Sequence, residues 1–438
     1  VPAERARPVE VIIVRQTFFI QWYSPVNDNR SGPEYTSLTQ GTPYRPLNPE
    51  SLRLVLSELP LLAVRLGGTP SGWNIREVSD GNLNSVWLIH GPSGSLCAKQ
   101  SLPHVRVDPS WKMPLDRTTF EAGWLKAVTP LAPEMVPEFL YFDPQLFLLV
   151  TACLDDHVTF TEALIQGVDP LPVARQIGHF VARTAFHTSW RGGPFEKMFQ
   201  LESFFSGNTT LTRITVDLVL TDPYYDHPRN HYHPALKTLV EQLHTDPTIH
   251  RAVSHMQSRF FTAREALLHG DLHSGSIMVG PNGASVIDGE FACIGPTGFD
   301  CGMFVASLIL ASFAAQDTSR RTQIRQAAAI FHESFLKTYC EEWLDNNTDT
   351  DLAPAFLTRH DATEIQRQQQ EECDRIVSDM AGFTAMEVIR RLTGYAHTSH
   401  FDALPETEKG HRQYQALSFA IELLSNLKAA PEKLFHGH

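Results

Sequence analysis

The sequence predicts an α+β fold of two unequal lobes: a small antiparallel β-sheet lobe with one helix, then a large, mainly helical lobe. Three observations carry this. Short β-type runs separated by turn signals crowd into residues 74–151, and helical periodicity dominates from Val168 onward. Within the helical part lies Leu268–Asp300, LHGDLHSGSIMVGPNGASVIDGEFACIGPTGFD, which reads as a loop, a hairpin and a carboxylate pair. The chain therefore divides into an extension over 1–43, a first lobe over 44–151 and a second over 152–438.

Composition bounds the function. A chain of 438 residues, 42% hydrophobic and 19% charged, is ordinary globular material with enough length for more than one core. Its 36 basic and 49 acidic residues give a net charge of −13, which argues against a nucleic acid or an anionic membrane as partner. Six cysteines without C-x-x-C spacing indicate neither a zinc framework nor disulfides, and fit a reducing, cytoplasmic compartment. The longest apolar run, Met303–Ala315, is too short to span a membrane and reads as a buried helix.

In order along the chain, residues 1–43 are expected to be a poorly ordered extension, although Val11–Tyr23 is apolar enough to dock as a strand. Asn48-Pro49-Glu50 opens a helix that Pro60 limits. Strands are expected at Asn74–Ser79, Ser85–His90 and Ser95–Gln100, separated by Asp80-Gly81-Asn82 and Gly91-Pro92-Ser93-Gly94. Lys99 falls on the face opposite Leu96 and Ala98, and by itself reads as an exposed strand lysine. A helix over Asp116–Val128 carries Glu121, which alone would be a solvated helix residue. Strands at Glu138–Phe142 and Leu146–Thr151 complete the lobe, and Ala152-Cys153-Leu154 crosses into the second.

Helices are then expected at Leu171–Thr188, Ile249–Leu268, Arg320–Asn346, Glu364–Leu392 and Glu406–Leu427. Between the second and third of these, Ile277–Val279 and Ala284–Ile287 flank Pro281-Asn282-Gly283 and form a hairpin that folds Asp271 back toward Asp288. In an extended segment Asp288 and Glu290 share a face, with Gly289 leaving room between them. Clustered carboxylates call for a hard divalent cation, and Mg²⁺ commonly completes its shell with nucleotide phosphate. The pattern points to phosphoryl transfer, with Asp271 accepting or orienting a substrate hydroxyl and Asp288 and Glu290 holding the metal against ATP. Lys99 and Glu121, on a strand and the next helix, have the placement of a phosphate-positioning ion pair.

His269 and His273 straddle a glycine in a loop, so His269 is expected to brace the loop rather than bind metal. Arg390 and Arg391 end a long helix, where cations complement the helix dipole. Neighbouring helical residues diverge by about 100°, so one arginine at most is expected to point into a cleft.

The pattern His269-Gly270-Asp271-Leu272-His273 followed by Asp288 resembles the aminoglycoside phosphotransferase and choline kinase branch of protein-kinase-like enzymes. HGDLHSGS, Asp288-Gly289-Glu290, GPTGFD at Gly295–Asp300, DGNLN at Asp80–Asn84, the Trp111 loop and Ile389-Arg390-Arg391 together are similar to the 5-methylthioribose kinase family. The likeness runs from about Tyr44 to the last helix. It implies a two-lobed protein-kinase-like fold, ATP and Mg²⁺, a small sugar substrate phosphorylated at its 1-hydroxyl, and a homodimer. By the same resemblance Asn84, Lys99 and Glu121 hold ATP, Ala152, Cys153 and Leu154 meet adenine, Asp288, Gly289 and Glu290 form the metal motif, and Asp271 with Arg390 or Arg391 meets the sugar.

The asparagine that serves general kinases as a second metal ligand is Ser276 here, a feature that separates this branch from its relatives. Two departures from the family stand out: Asp-Gly-Glu has glycine where proline is usual, and the hinge reads TACLDD over 151–156 where an acidic residue is common. Glu290 is expected to replace the lost ligand, so that Glu290→Gln raises the Mg²⁺ requirement without disturbing the fold. A kinase acting on an amino alcohol or aminoglycoside, and an inactive kinase-like binding protein, are the alternatives. An arginine pair suits a neutral sugar better than a cationic substrate, and an intact set of Lys99, Asp271, Asp288 and Glu290 argues against an inactive site.

Overall fold

A computed structural model of the protein describes residues 44–78, 83–106, 108–345 and 362–435. The extension, the Asp80-Gly81-Asn82 turn and residues 346–361 lie outside the described residues.

The small lobe begins with α1 (Pro49–Ser57) and α2 (Pro60–Leu66). Asn48 caps α1: its side chain accepts from the Ser51 amide at 2.9 Å, while the Ser51 hydroxyl accepts from the Asn48 amide at 2.8 Å. Pro60 ends this helix, as expected, and also opens the next, because proline lacks only a donor that a first helical turn does not use.

Strands β1 (Asn74–Val78), β2 (Asn84–His90), β3 (Ser95–Ser101), β4 (Phe139–Asp143) and β5 (Leu148–Ala152) form an antiparallel sheet in the order β1-β2-β3-β5-β4. Alternation sets its two faces. Trp87, Ile89, Leu96 and Ala98 turn to one side and pack with Leu52, Leu56 and Leu66 of α1 and α2 in a core of their own. Lys99, out of phase with them, turns to the other face, where α3 (Arg117–Val128) lies between β3 and β4 in the chain.

The large lobe opens with β6 (Val158–Thr159) and α4 (Phe160–Ile165), followed by α5 (Leu171–His187), α6 (Phe195–Phe205), α7 (Thr209–Leu218), α8 (Lys237–Thr245) and α9 (Pro247–Thr262). Helix is expected to run on to Leu268, yet α9 stops at Thr262. Ala263 takes an extended conformation, and β7 (Ala266–Leu268) follows as a fully buried strand. A short apolar run after a periodic one looks the same in either state, and only its partner decides.

That partner is β10 (Cys293–Gly295), with Leu268 opposite Cys293. Between them β8 (Ile277–Gly280) and β9 (Gly283–Val286) form the expected hairpin, Ile277 opposite Val286.

Among the described residues, five helices complete the lobe: α10 (Gly298–Ala314), α11 (Thr318–Asp345), α12 (Ala362–Thr393), α13 (Glu406–Ser425) and α14 (Ala430–Phe435). Every residue of α10 from Gly298 to Ser312 is buried. At about 1.5–3 kcal/mol for each large apolar side chain, its Phe299, Phe304, Leu308 and Ile309 make it the keel of the lobe. Among the described residues no helix is long and apolar enough to cross a membrane.

Candidate active site

The pairing of β7 with β10 builds the site. Because the two strands are antiparallel, the loop leaving β7 at His269 and the segment entering β10 from Asp288 lie at one end of the ribbon. Asp300, at the start of α10, fixes the loop by accepting from the amides of His269 (2.6 Å) and Gly270 (3.0 Å). His269 braces it as expected: Nε2 donates to the Ile287 carbonyl at 2.8 Å, and Nδ1 accepts from the Asp271 amide at 3.3 Å. Gly270 has φ +86°, and a Cβ there would stand 2.2 Å from the Phe291 carbonyl oxygen, so only glycine makes this turn.

Asp271 emerges from the turn toward cations. One oxygen lies 3.3 Å from Arg390 Nη2 and 4.0 Å from Arg391 Nη2; the other lies 3.5 Å from His273 Nε2. Burial alone would raise its carboxyl, but His273, Arg390 and Arg391 outweigh it and hold the group well below the usual carboxylate range. The Ser276 hydroxyl is committed to the Asp271 carbonyl at 2.9 Å.

Both arginines reach Asp271, contrary to the expectation that one at most would. The reason is Glu387, one turn earlier on α12 and 1% exposed: one carboxylate oxygen takes Arg390 Nε at 2.6 Å and the other takes Arg391 Nε at 2.7 Å. Positions i, i+3 and i+4 share a helix face, so one acid gathers two side chains that would otherwise diverge. Beside them a cavity of about 120 Å³ is lined by Thr161, His273, Ser274, Ser307, Arg391 and Thr398.

The second cluster gathers under the sheet. Lys99 Nζ lies 2.7 Å from Glu121 Oε2, contacts Asp288 Oδ1 and stands 3.8 Å from Glu290 Oε2. Burial pushes the Glu121 carboxyl up to about 7 against the pull of Lys99. The same burial acts on Asp288, where Lys99 prevails and the carboxyl is lowered. Oxygens of Glu121, Asp288 and Glu290 all lie within 4.8 Å of one another.

The local geometry of this cluster differs from the extended segment expected. Asp288 is left-handed (φ 70°, ψ 42°) and Gly289–Phe291 is a 3-10 turn, so the carboxylates meet through a tight bend rather than strand alternation. The Asp288 side chain is 48% exposed, while that of Glu290 is 4% exposed and turned inward. Glu290 accepts from Asn84 Nδ2 at 2.9 Å and lies 3.4 Å from Nε of the fully buried Arg117. Asn208 supports the bend by donating to the carbonyls of Glu290 (2.8 Å) and Ala292 (3.0 Å). A Cβ on Gly289 would stand 2.6 Å from the Trp124 ring, so the ring leaves room for glycine.

The match to known proteins is specific. The phosphotransferase enzyme family pattern covers residues 74–343. Methylthioribose kinase 1 of rice (Oryza sativa subsp. japonica) is 32% identical over 84% of this chain and 88% of its own length. Methylthioribose kinase of Escherichia coli is 31% identical over 88% of this chain and 94% of its own. The chain belongs to the methylthioribose kinase family. Likeness to solved structures is looser: an ethanolamine kinase from Plasmodium vivax aligns at 11% identity and a TM-score of 0.43, over 86% of this chain and 98% of its own.

Like other members of the methylthioribose kinase family, the chain is a kinase. Its structure brings Asn84, Lys99, Glu121, Asp288, Gly289 and Glu290 into one cluster and Asp271, Arg390 and Arg391 into another, and the charge of Asp271 is felt at Asp288. Ala152 ends β5, and Cys153 and Leu154 follow it at the join between the lobes. Trp111, from the small-lobe loop, meets Tyr395 just past α12 with ring centroids 5.7 Å apart. Sequence reasoning missed Glu387, Arg117 and Asn208. Only the Glu387-x-x-Arg390-Arg391 spacing carried a signal.

Proposed function

We propose that the chain transfers the γ-phosphoryl group of ATP to the 1-hydroxyl of 5-methylthioribose, giving 5-methylthioribose 1-phosphate and ADP, a step of methionine salvage. One observation carries this reading beyond kinase chemistry in general. The carboxylate of Asp271 faces two arginines held by one acid, beside a hydroxyl-lined cavity. An arginine pair beside the acceptor carboxylate suits a neutral sugar that becomes anionic better than the cationic amine of an amino alcohol or aminoglycoside.

Asp271 takes the orienting role. A carboxylate held so far below its usual range is a weak base, and it accepts a hydrogen bond from the 1-hydroxyl without removing the proton ahead of transfer. A loose phosphoryl-transfer transition state asks little more of it. Arg390 and Arg391 offer fixed positive charge where negative charge gathers. Lys99, anchored by Glu121, exchanges Asp288 for phosphate oxygens when nucleotide enters, which frees the exposed Asp288 carboxylate. Ala152, Cys153 and Leu154 supply the adenine edge, and the lobes meet near residue 151.

The donor set fits Mg²⁺. Hard oxygens of Asp288 and Glu290 converge, and Asp288 is open to the cleft. Held by these carboxylates, the ion would supply positive charge against the developing negative charge of the phosphates. Asp288 is its foremost ligand, and Glu290 joins only by parting from Asn84 and Arg117. The protein works as a cytoplasmic homodimer.

The test is ADP release measured with methylthioribose, ribose, choline and an aminoglycoside. Turnover with methylthioribose is expected. Turnover only with choline or the aminoglycoside supports a different small-molecule kinase, and none with any supports an inactive binding protein.

A further inference from the structure

Away from the phosphate and sugar sites, a second constellation stands at the edge of the sheet. His90 closes β2, with Ser95, the first residue of β3, paired opposite it, and Cys153 and Asp155 follow β5. His90 Nε2 lies 2.6 Å from Asp155 Oδ1, and Cys153 Sγ donates to that same oxygen at 3.1 Å. The Ser95 hydroxyl donates to the other oxygen, Asp155 Oδ2, and so fixes the carboxylate. A ring nitrogen, a sulfur and a carboxylate oxygen thus sit within 4.8 Å of one another. The side chains of His90 and Asp155 are 43% and 40% exposed, so ions reach them from solvent.

We propose that His90, Cys153 and Asp155 form a binding site for a zinc-class divalent cation. Mixed nitrogen, sulfur and oxygen donors suit Zn²⁺ and Co²⁺, whereas Mg²⁺ takes oxygen alone, so this site and the Glu121–Asp288–Glu290 cluster select different ions. Bond lengths of 2.0–2.3 Å put tetrahedral donors roughly 3.3–3.7 Å apart. The two separations to Asp155 Oδ1, 2.6 and 3.1 Å, are shorter because those donors close on shared protons, and an opening of roughly 0.4–0.7 Å at each admits the ion. Burial and Asp155 push the Cys153 thiol up, so binding costs a proton: the S–H bond breaks, a sulfur–metal bond forms, the proton goes to solvent and no oxidation state changes. Water takes the fourth position. Cys153 also belongs to the proposed adenine edge, and titration without nucleotide separates the two roles.

The full chain, without nucleotide, is titrated with Co²⁺ and then with Zn²⁺. One equivalent of Co²⁺ is expected to raise a thiolate-to-cobalt absorption band in the near ultraviolet, which Zn²⁺ abolishes. Cys153→Ser should remove the band and His90→Ala should weaken Co²⁺ binding at least tenfold. The two donors lie on different segments, so a folding defect in one variant leaves the other to decide, and thermal unfolding identifies it. Cys340 and Cys373, whose sulfurs lie 3.7 Å apart on α11 and α12, are the competing thiols. Their double serine variant should keep the band. A band that survives Cys153→Ser, one lost with Cys340 and Cys373, or none at millimolar Co²⁺ would overturn the site.

Discussion

Asp271 is anionic because of what surrounds it, and the arrangement depends on a residue that does not touch it. Asp271→Asn keeps the shape and removes the charge. We expect turnover to fall on the order of 10²–10⁴-fold, and the melting temperature to fall as well because the lost charge no longer pairs with His273, Arg390 and Arg391, checked by steady-state kinetics beside calorimetry. Glu387→Gln should cost about 10²-fold in kcat/KM, the scale of a misplacement near 1 Å, because Arg390 and Arg391 lose their common anchor. An unchanged kcat/KM would mean the arginines hold their places unaided. For Glu290 the structure changes the expectation. Since its carboxylate also holds Asn84 and Arg117 in the interior, Glu290→Gln should raise the Mg²⁺ concentration for half-maximal rate and also lower stability by about 1–3 kcal/mol. Lys99, Glu121, Asp271, Asp288 and Glu290 were legible as a set because phosphoryl transfer needs those types in that order. Glu387 and Arg117 were not, since an acid on a helix or an arginine at a helix start reads as solvated until a partner is visible.

At the scale of elements, the site is a consequence of one short strand pair. The hairpin of β8 and β9 was legible from its turn, whereas β7 was hidden in the tail of a helical pattern, and β10 was too brief to announce itself. The bend at Asp288 was equally invisible, because a left-handed aspartate has no sequence signature beyond tolerance. Gly270→Ala tests the loop: a positive φ together with the Phe291 carbonyl in the way should cost at least about 2 kcal/mol and disturb Asp271. Denaturant unfolding measures the first and turnover the second. A polar clamp holds the same elements together from behind. Arg259 of α9 meets Asp379 of α12 at 2.6 Å, and Glu265, just before β7, accepts from the Thr297 amide at 3.0 Å. α12 therefore enters the site already registered against the ribbon.

Across the whole molecule, acid should act through buried groups near Asp271 and Arg391. Burial, with Arg391 and His273, depresses His400 from an ordinary 6.5 to about 4. The unfolded chain then binds a proton that the folded chain refuses, so stability falls as pH drops from 6.5 toward 4, by roughly 3 kcal/mol from this histidine. Asp271 adds to the loss lower down, since the stability from its depressed carboxyl is full above the usual carboxylate range and fades below it. Glu121, with its carboxyl raised to about 7, acts in the opposite direction over the same window, so denaturant midpoints from pH 7 to 4 are read as the difference between the protein and His400→Gln, and that difference should change by the amount given for the histidine. The two lobes, the small sheet and the helical bulk were legible because periodicity survives at that length. What the bulk is for is decided at one carbon atom. The most direct test is phosphorus NMR of the product formed from ATP and 5-methylthioribose by the full chain. A phosphate ester coupled to the anomeric proton, formed in step with ADP, is the predicted result. An ester at another ring carbon, or ADP without any sugar phosphate, would contradict the account.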